Sequence, residues 1–81
     1  MNNSNIKIYY KGKVTDGFKL IYANEDGSRK VERYIYNYFE ALDAYMKIRD
    51  DFNINHKRGF IAFYIVNIDG SLTLKYWHST D

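Results

Sequence analysis

His56, His78 and the adjacent pair Asp50 and Asp51 are where a reaction centre would have to be built in this chain. Imidazole can move protons near neutral pH, and two converging carboxylates can share general acid and base work. Spacing removes both options. His56 falls in a loop after a helical segment, and His78 sits three residues from the last one, where strands fray. Neighbouring helical residues point about 100° apart, so Asp50 and Asp51 do not converge. The chain has no Cys, which removes thiolate nucleophiles, thiolate metal sites and disulfides together. No glycine-rich loop precedes the helix to cradle a phosphate. The expectation is a protein that is not an enzyme, with no catalytic, cofactor-binding or metal-ligating residues.

The chemistry left is contact chemistry. Nine Tyr, five Phe and Trp77 make up 19% of the 81 residues, more large rings than a one-layer core can absorb. Several must reach the surface. The net charge of +2 is too small to imply a polyanionic partner, but its distribution is uneven. Residues 1–34 carry seven Lys or Arg against four acids, whereas residues 38–52 carry four acids against Lys47 and Arg49. One stretch is basic and the other acidic.

The elements that position these residues follow from turn signals and periodicity. At 46% hydrophobic and 27% charged, the chain is globular, and 81 residues fill a single domain, 1–81, with one core. Asp16-Gly17, Asp26-Gly27 and Asp69-Gly70 each lie between β-branched and aromatic runs, and Asp-Gly suits a two-residue hairpin turn. Three hairpins are expected. A turn at Asp26-Gly27 pairs Phe18 with Ile35, Leu20 with Arg33 and Tyr22 with Val31 on a core face where Arg33 is the misfit. In the first hairpin a bulge near Gly12 is needed to keep Ile6, Ile8 and Tyr10 on the apolar side. Over residues 38–52 the period becomes 3.6, with Ala41, Leu42, Tyr45, Ile48 and Phe52 on one stripe. Asn37 with Glu40 caps its start and Asn53 its end. The fold class is α+β, two-layer: an antiparallel five-stranded sheet in βββαββ order with one amphipathic helix on one face.

One sheet face is then left without cover. A turn at Asp69-Gly70 sets Ile61, Phe63 and Ile65 with Leu72, Leu74 and Tyr76 under the helix. Phe60, Ala62, Tyr64 and Val66 face outward beside Thr73, Lys75 and Trp77. Arg58, Phe60, Tyr64, Lys75 and Trp77 are the expected partner-binding residues, with Tyr64 directly across from Lys75.

Arg58-Gly59-Phe60-Ile61-Ala62-Phe63 resembles the RNP1 strand of RNA-recognition motifs, whose pattern is a basic residue, Gly, an aromatic, a small residue and another aromatic. It carries an extra Ile61 and lacks that family's two-helix order. The likeness covers under a tenth of the chain. The leading βββα unit resembles the arm-type DNA-binding domains of some integrases, in which the final hairpin has no place. Both likenesses imply nucleic-acid contact as an alternative to a protein partner.

Codon-poor composition adds a source. Ile, Lys, Asn, Tyr, Phe and Met supply half the chain, and Pro, Cys and Gln are missing, which points to an AT-rich bacterium or its phage. The expected function is a non-enzymatic phage or mobile-element accessory factor that inhibits a host protein, nucleic-acid-processing or defensive, by occupying it with the aromatic and basic face. A nucleic-acid binder and a homodimeric module are the alternatives. No apolar run is long enough to span a bilayer, and residues 1–5 lack signal-peptide character, so no membrane partner and a cytoplasmic location are expected.

Overall fold

The computed structural model describes residues 8–23, 30–55 and 59–79. Its elements are β1 (Ile8–Tyr10), β2 (Lys13–Thr15), β3 (Gly17–Ala23), β4 (Lys30–Ile35), α1 (Tyr38–Ile54), β5 (Phe60–Val66) and β6 (Leu72–Ser79). β3 to β6 form a four-stranded antiparallel sheet in the order β4-β3-β5-β6, while β1 and β2 form a separate two-stranded hairpin. Among the described residues the expected α+β class with one helix holds. The five-stranded sheet in βββαββ order does not, because four strands precede the helix and the first two pair only with each other.

The second hairpin pairs as its side-chain pattern requires: Phe18 with Ile35, Leu20 with Arg33 and Tyr22 with Val31. Its turn, Asp26-Gly27, lies outside the described residues. β5 then lies on the other side of β3 with Phe18 opposite Ile65 and Leu20 opposite Phe63, so each row of the sheet continues one face. The buried row Phe18, Leu20, Ile61 and Phe63 meets Ala41, Tyr45 and Phe52 of α1, the stripe that the 3.6-residue period marks out. Leu42 and Ile48 of that stripe pack at its margin, half-buried. The Phe63 ring is the hub, with centroids of Phe18, Tyr38, Tyr45 and Tyr76 all within 6.0 Å.

The helix starts where expected, Asn37 Oδ1 accepting the Glu40 N–H at 3.0 Å. It ends later than Asn53, because the Asn55 N–H still reaches the Asp51 carbonyl at 3.0 Å. Asn55 closes it without adopting a left-handed conformation.

Two hairpins depart from expectation. The first turns at Lys11-Gly12, whose φ values of 52° and 79° make the two-residue turn themselves, so Gly12 is a turn residue and not a bulge. Asp16-Gly17 makes no turn. The Asp16 N–H donates to the Val66 carbonyl at 2.9 Å and Gly17 opens β3 against Val66. In the last hairpin the loop is Ile68-Asp69-Gly70, three residues. The Asn67 N–H donates to Ser71 O, Gly70 N–H donates back to Asn67 O, and Gly70 takes the left-handed φ of 89° that ends such a loop. Asp69 Oδ1 accepts from both Ser71 Oγ and N, which holds its carboxyl below the usual 3.8.

The third loop residue moves the nearby register by one, pairing Val66 with Leu72, Ile65 with Thr73 and Tyr64 with Leu74. A bulge at Lys75 then restores the expected register, with Phe63 opposite Tyr76 and Ala62 opposite Trp77. Leu72 and Leu74 therefore lie on the face away from the helix, not under it.

Candidate functional site

Cross-strand partners share a face, so the ladder defines the surface opposite α1 row by row. One row runs Glu32, Ile21, Ala62, Trp77, and the next runs Tyr34, Lys19, Tyr64, Leu74. Gly17, Val66 and Leu72 make a third. No described element covers these rows. Trp77 is 63% exposed, Leu74 49% and Leu72 41%, while Ala62 and Val66 between them and β3 are buried. Three large apolar side chains thus stand in water along β6.

The β4 side of the same face is held rigidly. The Tyr34 hydroxyl donates to the Asp16 carbonyl at 2.8 Å, and its ring covers Gly17. A Cβ on Gly17 would lie 2.9 Å from that ring, so the glycine admits the tyrosine, and its φ of 135° disfavours any other residue. Tyr36 packs beside Tyr34 with centroids 5.0 Å apart. Burial raises the Tyr34 hydroxyl pKa first, and Asp16 and Tyr36 add to the rise, so the group stays a neutral donor. Lys19, in mid-face, pairs with Glu32 at 3.0 Å.

Of the expected contact residues, Phe60, Tyr64 and Trp77 share this face, with Phe60 and Tyr64 half-buried. Arg58 lies outside the described residues. Lys75 is a correction: as the bulge residue it turns to the helix side, its Nζ 5.0 Å from the Tyr10 ring centre and 4.7 Å from that of Tyr76. Tyr10 itself stacks on Phe18 and Tyr38, at the N-terminal end of α1. Burial pushes the Tyr10 phenol up, but Lys75, Tyr38 and Lys11 outweigh it and bring the group below its usual value. The Tyr10 phenol in turn raises Lys75 against the opposing effect of burial. Leu72 and Leu74 belong to the open face and were not foreseen there, whereas Ile21 and Tyr34 lie on it as the β3–β4 pairing requires. A three-residue loop at Ile68-Asp69-Gly70 was the signal that would have placed the two leucines.

The remaining titratable groups are dispersed. His78, opposite Ile61, meets Asn53 Oδ1 at 3.1 Å and ties β6 to the end of the helix, while His56 lies outside the described residues. Asp50 binds Arg49 at 3.1 Å. Among the described residues no three His, Asp or Glu side chains form a group able to hold a metal ion, and no helix is long and apolar enough to cross a membrane. Arg33, the misfit of the core face, lines a groove of about 350 Å³ between β4 and α1 with Ile35, Glu40, Asp43, Lys47 and Ile48. Asp43 and Lys47 there pair with each other at 3.0 Å.

Comparison with protein-family models, with curated proteins and with solved structures gives no match to this chain.

Proposed function

We propose that this chain is a non-enzymatic binding protein that docks a protein partner on the sheet face opposite its helix. The observation that carries this reading is the uncovered row of Trp77, Leu74 and Leu72 beside an ion pair, Lys19–Glu32, that satisfies its own charge. Contiguous apolar surface on a small domain marks a contact site. An exposed Trp is among the side chains that dominate binding energy, at about 2 kcal/mol or more when truncated.

The chemistry of the face favours protein over nucleic acid. Stacking on single-stranded nucleic acid needs cations beside the rings to meet phosphates. Here Lys75 turns to the other side of the sheet, Lys19 is held by Glu32, and Lys30 stands opposite Ala23 on the β4 edge, across the sheet from the β6 side chains. The sheet edges are less suited to docking than the face. β4 presents Lys30, Glu32 and Arg33, and β6 is bulged at Lys75, features that oppose strand addition. The narrower part of the proposal, an accessory factor of a phage or mobile element that inhibits a host protein, rests on size and composition.

The test is affinity capture from an AT-rich bacterial host extract treated with nuclease, using the full chain and its Leu74→Arg variant as baits. A protein retained by the first and lost by the second, at low and high salt alike, supports docking on this face. Retention that requires nucleic acid, or that Leu74→Arg leaves intact, contradicts it.

A further inference from the structure

We draw no further inference here: the strongest candidate, the uncovered sheet face bearing Leu72, Leu74 and Trp77, belongs to the site already described, and nothing in the structure shows what shape or class of partner covers it.

Discussion

Deletion of Lys75 tests the sheet that presents the open face. Lys75 is the extra residue in β6: Tyr64 pairs with Leu74 and Phe63 with Tyr76, so without Lys75 the ladder runs from Leu74 to Tyr76 uninterrupted. The faces should survive, with Leu74 and Trp77 outward and Tyr76 under the helix side. Two contacts are lost, those of Nζ with the Tyr10 and Tyr76 rings, each about 0.5–1 kcal/mol at such a site. Regular pairing in place of the bulge returns about 0.5–1.5 kcal/mol per hydrogen bond gained. The net change is about 1 kcal/mol or less, a Tm shift within about 4–8 °C for a domain of this size. If β6 instead ran without a bulge, deletion would exchange the faces of one half of the strand. Each displaced large side chain would then cost about 1.5–3 kcal/mol, enough together to unfold the domain. The assay is thermal unfolding by far-ultraviolet circular dichroism for wild type, Lys75→Ala and the deletion. A deletion variant that melts more than about 15 °C below Lys75→Ala, or shows no cooperative transition, would refute the assigned register.

Phe63→Ala removes the hub ring of a fully buried cluster and should cost about 3–5 kcal/mol, leaving little folded protein, as urea titration would show. Gly17→Ala should cost about 1–3 kcal/mol, because the φ of 135° is strained for alanine and its Cβ meets the Tyr34 ring; Tyr34→Ala in the same chain should recover part of this loss. Burial raises the pKa of Tyr38 and of Tyr45 above the usual 10.0. Groups raised in the folded state contribute stability that is fully present below pH 10 and is lost as pH rises through their folded values. Alkaline unfolding followed by tyrosinate absorbance should therefore begin above pH 10 and be cooperative, whereas tyrosines that all titrate independently near 10.0 would contradict their burial.

What could be read from the sequence depended on how many residues a turn consumes. The β3–β4 register was legible because Phe18, Leu20 and Tyr22 alternate against Val31, Arg33 and Ile35, and a one-residue slip would expose the whole apolar set. The helix was legible from Ala41, Tyr45, Ile48 and Phe52, since no strand period accounts for their spacing. The last hairpin was not, because Asp69-Gly70 fits both a two-residue turn and the end of a three-residue loop, and the choice exchanges Leu72 and Leu74 between faces. The bulge at Lys75 compensates the longer loop, so Trp77 was placed correctly and Lys75 was not. Asp16-Gly17 was misleading for another reason. Gly17 is there to admit the Tyr34 ring, a contact between strands that no local turn signal encodes.

The central claim is that the face bearing Trp77 is open in the free chain and closes on a protein partner. Trp77 is the single tryptophan, so its emission reports that face alone. The measurement is the emission maximum and acrylamide quenching of Trp77 in the isolated chain, shown by light scattering to be monomeric, before and after a captured partner is added. At 63% exposure, Trp77 should emit to the red and quench readily when free, then shift to the blue and become protected in the complex. Blue, protected emission from the isolated monomer would contradict the account, as would red emission that a bound partner leaves unchanged.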